Sequence, residues 1–255
     1  MSPPDQAQVL NKELLGLSPD VGRRLSTKGL AFREGSHVPR STEVQLGLYF
    51  APCLSLFPSQ VFRYSRPNMT ESDYQSVFEP WIGPYYDTDG IDGKRLLLLG
   101  ESHYGNSEDE RPEFTRDVVR KLVHDGRHRF FTILAKLLLG MGKEDRIGQD
   151  DREWVWDRIA FHNYVQGMAG QDADGSVPDE LWEQSEKALY EVVRTCEPDG
   201  MVVVGKGLSR HLPDLDTSPD TVEVDVLEIP HVSRGFSYDP WGGRVQQFIE
   251  TLERG

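Results

Sequence analysis

Three short polar segments at or near the ends of apolar stretches hold the side chains best suited to acid–base chemistry. The first is residues 100–105, which contains Glu101 and His103. The second ends in Asn163, and the third begins at His231. A carboxylate can stabilise a developing positive charge, and an imidazole can donate a hydrogen bond to a developing negative charge. The pattern therefore predicts an active site, provided that the fold brings the three segments together.

The surrounding sequence predicts strands that alternate with helices. The run Arg95–Leu99 is closed by Gly100, as expected for a strand buried on both faces of a parallel sheet. Three further strands are predicted at Arg158–Val165, Met201–Val204 and Thr221–Ile229. Helical spacing predicts a short amphipathic helix and then five more helices at Tyr74–Trp81, Pro112–Val123, His128–Leu139, Asp151–Trp156, Asp179–Thr195 and Trp241–Leu252.

Strands separated by helices predict an α/β fold with right-handed crossovers. We expect a three-layer α/β/α domain with a central, mostly parallel four-stranded sheet over residues 91–255. Residues 1–90 are expected to form an N-terminal extension packed on this core. Ligands bind at the carboxyl ends of the strands in such sheets, so the three polar segments would converge in one crevice.

The order and spacing of these segments resemble the uracil-DNA glycosylase superfamily over roughly residues 94–252. In that family a Gly-led loop follows a buried strand, an Asn lies near a later strand end, and a His-Pro-Ser-type segment precedes the last helix. Residues 100–105, Asn163 and residues 231–233 occupy the same order here. The resemblance implies an enzyme that hydrolyses the N-glycosidic bond of uracil or a modified pyrimidine flipped out of DNA. The product would be an abasic site, in repair or in antiviral defence.

The resemblance also implies a role for each candidate residue. Glu101 would polarise the attacking water and stabilise the cationic sugar, while His231 would donate to a base carbonyl. Asn163 would hydrogen-bond the base edge. The other implied residues of the base pocket, including two rings that border or stack on the base, are Ser102, His103, Tyr104 and Phe161. The implied DNA contacts, to backbone phosphates or as a wedge in the duplex, are Ser233, Arg234 and Phe236.

Three positions depart from the family pattern and bear on base specificity. Ser102 stands where the best-known branch has Asp, and His103 stands where Pro is usual. Val232 replaces the Pro of His-Pro-Ser. Tyr104, placed as in the uracil-specific branch, would exclude bulky groups at the pyrimidine 5-position. Gly105 would instead open room for a larger base if the loop were displaced.

Other interpretations of the same residues remain open. Gly-Glu-x-His also resembles the loop of erythromycin-esterase-like hydrolases, which would pair Glu101 with His103 and leave His231 without a role. A catalytically silent nucleic-acid-binding module is a third possibility. A further interpretation makes Glu101 only a helix-capping carboxylate and Asn163 only a turn residue. His162 points away from Asn163 on a strand and is expected to be structural.

The net charge of −14 argues against a nonspecific nucleic-acid coat, because phosphate contacts need concentrated Lys and Arg. One segment is locally basic. Between residues 111 and 130 it holds six cations against three carboxylates, and the cations are Arg111, Arg116, Arg120, Lys121, Arg127 and Arg129. This segment is either a solvated helix face or a local face for DNA.

The sequence predicts neither a metal nor a cofactor. Cys53 and Cys196 are too few for a disulfide framework, a zinc site or an iron–sulfur cluster, so the iron–sulfur branches of the family are excluded. The apolar stretches 96–99 and 133–139 are far too short for a membrane span, and residues 1–8 do not resemble a signal peptide. We expect a cytoplasmic monomer without membrane contact, whose partner is DNA carrying a damaged or modified base.

Overall fold

The computed structural model of the protein describes residues 60–65, 77–170, 177–213, 221–233 and 235–253. All of these residues belong to one compact unit of the chain. Most of the expected N-terminal extension, residues 1–59, therefore lies outside the described residues. The strands are β1 (Gln60–Ser65), β2 (Trp81–Ile82), β3 (Leu96–Gly100), β4 (Ala160–Asn163), β5 (Gly200–Val204) and β6 (Thr221–Ile229).

The strands form one mixed sheet in the order β1-β6-β5-β3-β4-β2. The inner strands β6, β5, β3 and β4 pair in parallel, whereas β1 and β2 pair antiparallel on the two edges. The predicted strand count of four is wrong, because the sheet has six strands within the described ranges alone. Both additional strands precede residue 91. The two-residue β2 is too short to produce a period-2 pattern.

The helices are α1 (Phe114–Val119), α2 (Arg129–Leu138), α3 (Gln149–Trp156), α4 (Asp179–Cys196), α5 (Lys206–Ser209) and α6 (Tyr238–Thr251). Asp239 within α6 has non-helical backbone angles. The predicted helix Pro112–Val123 is divided, because a π-helical turn, Arg120–His124, follows α1. None of the helices in the described ranges combines the length and apolar character needed to cross a membrane.

The predicted helix Tyr74–Trp81 is wrong over its described part. Residues 77–80 are not helical, and Trp81 begins β2. Two backbone N–H groups here donate to distant partners instead of to a preceding turn. Phe78 donates to Gln166 Oε1 at 3.1 Å, and Glu79 donates to the carbonyl of Pro112 at 2.7 Å. These long-range bonds override the local amphipathic pattern.

The central strand β3 is buried on both faces. Leu96 and Leu98 pack in one apolar cluster with residues of α2, α3 and α6. Leu97 and Leu99 pack in a second cluster with residues of α4. Successive side chains of a strand point to opposite faces, so a run of four leucines requires helices on both sides.

The amino ends of β3 and β5 are joined by one buried carboxylate. Asp199 accepts from the backbone N–H of Arg95 at 2.7 Å and from Arg95 Nη2 at 3.1 Å, and its side chain is only 1% exposed. The hydrogen bond to Asp199 raises the pKa of Arg95. Glu197 lies 3.6 Å from Arg95 Nη1 but is 67% exposed. Asp199 therefore carries most of the constraint between the two strands.

We expect Asp199→Ala to lower the free energy of unfolding by about 2–3 kcal/mol, since it removes two hydrogen bonds to a charged carboxylate, one of them from a partly exposed guanidinium. Glu197→Gln is the matched control on the same arginine and should cost less than about 0.5 kcal/mol, because the pair is exposed. Urea unfolding followed by circular dichroism measures both values. Equal losses from the two variants would contradict the assignment.

Candidate functional site

The strand order reverses beside β3. The chain passes from β3 to β4 on one side, and β5 then pairs with the other side of β3. The loops that leave β3 and β5 therefore diverge, and the crevice between such loops is the usual ligand site of an open parallel sheet. Glu101 follows β3 and Gly205 follows β5, so both lie at this reversal point.

The carboxylate of Glu101 lies beside two glycines, Gly205 at the end of β5 and Gly207 in α5. A Cβ atom added at Gly207 would lie 3.4 Å from Glu101 Oε2, and one added at Gly205 would lie 3.9 Å away. Glu101 is half-buried, and its backbone carbonyl accepts from Val165 N–H at 2.9 Å. Its carboxylate makes no hydrogen bond with any described residue, so no capping bond of the alternative kind is present there. The backbone of Glu101 is therefore fixed by a hydrogen bond, while its carboxylate has no bonding partner among the described residues.

His103 lies in the same loop but faces the interior. It is 5% exposed, and its ring lies between those of Phe78 and Phe114 at centroid distances of 4.9 and 5.0 Å. Nδ1 accepts from Asn163 Nδ2 at 3.1 Å, which leaves the proton on Nε2 to donate to Thr115 Oγ1 at 2.8 Å. Burial, with a smaller contribution from His162, lowers the pKa of His103 to about 3. His103 is thus a neutral residue that ties the loop to β4 and α1.

Asn163 reaches across the end of β3. Gly100 pairs with Asn163 in the parallel register, and a Cβ at Gly100 would overlap Asn163 Oδ1. Glycine at position 100 is therefore needed for Asn163 to reach His103. Asn163 is 7% exposed, and its Oδ1 accepts no hydrogen bond from the described residues. One polar atom of the predicted base-binding amide thus remains for a ligand.

Phe161 belongs to the core. It is 2% exposed, and its ring packs against those of Phe131 and Trp156 at centroid distances of 5.8 and 5.6 Å. Its ring also lies 6.1 Å from that of Phe130. The structure therefore places Phe161 beneath the surface rather than open to a stacking partner. Ser102 and Tyr104, the other predicted pocket residues, are half-buried.

The third polar segment divides between surface and core. His231 and Ser233 are exposed, whereas Val232 is buried. Phe236 is 9% exposed and meets the ring of Tyr238 edge-on at 5.6 Å. A DNA wedge at Phe236 would have to leave this contact. The remaining predicted DNA contact, Arg234, lies outside the described residues.

Phe130 is a site residue that the sequence reasoning did not identify. It is half-buried, and its ring centroid lies 5.9 Å from that of His231 and 6.1 Å from that of Phe161. Phe130 therefore covers the buried ring and borders the exposed imidazole. Its position near the start of α2 is visible in the sequence, but periodicity within a helix does not show which distant loop a ring contacts.

Glu101 and His231 lie on the same edge of the sheet without touching. Leu99 pairs with Val203 and Val204 pairs with Ile229, so Glu101 and Pro230 lie at one level with Gly205 between them. Two inter-strand spacings separate their backbones by about 10 Å. Gly205, which carries no side chain, lies between them, and its backbone N–H donates to the carbonyl of Ile229 at 2.9 Å.

The two buried histidines make stability depend on pH. The pKa values of His103 and His162 are both lowered to about 3, chiefly by burial, whereas an unfolded histidine titrates near 6.5. Below pH 6.5 these two histidines bind protons in the unfolded chain but stay neutral in the folded chain. The free energy of unfolding therefore falls as the pH drops towards 3. His103→Gln should make this decline shallower by up to about 1.4 kcal/mol per pH unit. Urea unfolding between pH 7 and pH 5 measures the two slopes; parallel slopes would show that His103 does not stay neutral.

Glu101 follows β3 and His231 follows β6 at this edge, and neither side chain forms a hydrogen bond with a described residue. Within the same residues, no three His, Cys, Asp or Glu side chains come together as metal ligands. No protein-family model and no curated protein sequence matches the chain. The function must therefore be inferred from the chemistry and placement of these two groups.

Proposed function

We propose that the protein is a DNA glycosylase that hydrolyses the N-glycosidic bond of uracil or a modified pyrimidine flipped out of DNA, in repair or antiviral defence. The observation that carries the proposal is the unbonded carboxylate of Glu101 at the strand reversal, with exposed His231 along the same edge. The proposal includes a three-layer α/β/α arrangement of the domain and a monomer that acts in the cytoplasm.

The proposed reaction breaks the bond between the sugar C1′ and the base nitrogen. Positive charge develops on the sugar, and the carboxylate of Glu101 stabilises it while accepting a hydrogen bond from the attacking water. The base departs with the bonding electron pair, and His231 donates a hydrogen bond to the carbonyl where negative charge collects. The water oxygen then bonds to C1′, and its proton passes to the departing base. The products are an abasic sugar and the free base.

In this proposal the base lies over Gly205, because this residue has no side chain to occupy the space between Glu101 and His231. Phe130 supplies the aromatic edge nearest to His231. In this proposal Oδ1 of Asn163 accepts from a base N–H, and Ser102 and Tyr104, in the loop after β3, border the base. Shape at this pocket would set which pyrimidine fits.

The bonds of His103 favour this proposal over an esterase-like hydrolase that pairs Glu101 with His103. A general base must be reachable by the proton that it removes. Both ring nitrogens of His103 are hydrogen-bonded to protein, and burial lowers its pKa to about 3. His231 is exposed and carries no such bonds with the described residues.

Glu101→Gln and His231→Gln should each reduce base release by about 100-fold or more, because each removes a transition-state contact. The measurement uses duplexes that contain uracil or a 5-substituted pyrimidine, with alkali cleavage of the abasic product under single-turnover conditions. Glu108→Gln is the matched control, since Glu108 is an exposed carboxylate a few residues further along the same loop. Its rate should equal that of the wild type.

Three outcomes would overturn the proposal. The first is wild-type protein that releases no base from any of these duplexes. The second is loss of activity on His103→Gln with normal activity on His231→Gln and turnover of an ester, which would support the esterase-like alternative. The third is tight DNA binding without base release, unchanged by Glu101→Gln, which would indicate a silent binding module.

A further inference from the structure

The cations between residues 111 and 129 divide into two groups. Those in the first group are ion-paired within the described structure: Arg111 and Arg120 with Asp117, and Arg116 with Glu79. Those in the second group form no ion pair with a described residue: Lys121, Arg127 and Arg129. Arg127 and Arg129 are also exposed, so their charges are available to a ligand.

The unpaired arginines lie beside the proposed site. Arg129 directly precedes Phe130, whose ring contacts His231. Burial raises the pKa of Tyr238, and the positive charge of Arg129 opposes this shift, which places that charge close to the segment following His231. A negative ligand bound at Arg129 would thus lie close to the exposed residues His231 and Ser233.

A buried guanidinium holds the backbone that carries these arginines. Arg152 is 1% exposed, and its Nη2 donates to the carbonyls of Val123 at 3.0 Å and Gly126 at 2.7 Å. Gln149 Nε2 donates to Val123 at 2.8 Å and to His124 at 2.9 Å. The turn before Arg127 is therefore fixed from beneath. A preorganised cationic turn loses little conformational freedom when it binds.

The charge of Arg127 acts on two buried cations. Burial lowers the pKa of Arg152, the charge of Arg127 lowers it further, and the half-buried carboxylate of Glu153 opposes this shift. Burial also lowers the pKa of Lys136, where Arg127 adds to the effect and the exposed carboxylates of Asp145 and Glu144 oppose it. Concentrating cations in this way costs free energy, which an anionic ligand would recover. In a chain of net charge −14, a turn with exposed, unpaired arginines is a suitable binding surface for a polyanion.

We propose that Arg127 and Arg129 bind backbone phosphates of the nucleic-acid strand that enters the site beside His231. This inference rests on the proposed glycosylase function and names the surface that holds its substrate. Phosphate contacts of this kind position the strand and do not read its sequence. Neutralising two phosphates releases counterions, so the contacts should appear in the salt dependence of binding.

The test compares DNA binding by two double variants, each made in the Glu101→Gln background so that the substrate stays intact. Arg127→Gln/Arg129→Gln removes the proposed contacts. Lys187→Gln/Arg194→Gln is the matched control, which removes the same charge from exposed positions of α4, on the opposite face of the sheet. Fluorescence anisotropy with a labelled uracil-containing duplex gives the affinity over a range of salt concentrations.

We expect the first pair to reduce the slope of log affinity against log salt by about 1 for each arginine, and the control pair to leave it unchanged. An unchanged slope in the first pair, or an equal reduction in both pairs, would overturn the inference. Binding of polyphosphate through these arginines, with no binding of duplex, would also overturn it. If the wild type releases base but the Arg127→Gln/Arg129→Gln variant keeps the wild-type slope, only this inference fails. If the variant shows the reduced slope but the wild type releases no base, only the proposed function fails.

Discussion

The whole arrangement depends on the burial of β3 from both sides. Four consecutive leucines leave no polar face on this strand, so helices must cover the sheet above and below. With both faces occupied, the polar residues that follow Leu99 can emerge only at the carboxyl edge. The site is therefore a consequence of the core: apolar packing determines where the first hydrophilic residues can lie, and the strand reversal between β3 and β5 opens the space beside them.

The elements that the sequence predicts well are those that have a strong local signal. β6 shows regular alternation of valines with acidic residues, and its bounds agree with the prediction Thr221–Ile229. α4 shows a long apolar stripe and extends one residue beyond its predicted end at Thr195. The edge strand β2 and the non-helical residues 77–80 depend instead on hydrogen bonds to partners that are distant in the chain. Such partners cannot be found from local periodicity.

The candidate site shows the same division. Placing Glu101 and His231 at the carboxyl edge required only the order of strands and loops. Sequence reasoning could not separate the exposed histidine from the buried one, because His103 and His231 both follow strands and both lie beside hydrophilic neighbours. The difference arises from tertiary contacts: Thr115 and Asn163 occupy the two ring nitrogens of His103. Phe130 was missed for the same reason, since its neighbours come from β4 and from the segment after β6.

The two glycines beside Glu101, Gly205 and Gly207, differ in whether another residue can replace them. Gly205 has a φ of 126°, a conformation that side chains rarely adopt, so that position is closed to most residues. Gly207 has no such restriction, and a Cβ there would stand at ordinary contact distance from the carboxylate. A side chain at position 207 would reduce the space beside this carboxylate while leaving the strands and the charged turn as they are. Position 207 is therefore the place where a substitution can change the surroundings of Glu101 without a left-handed backbone conformation.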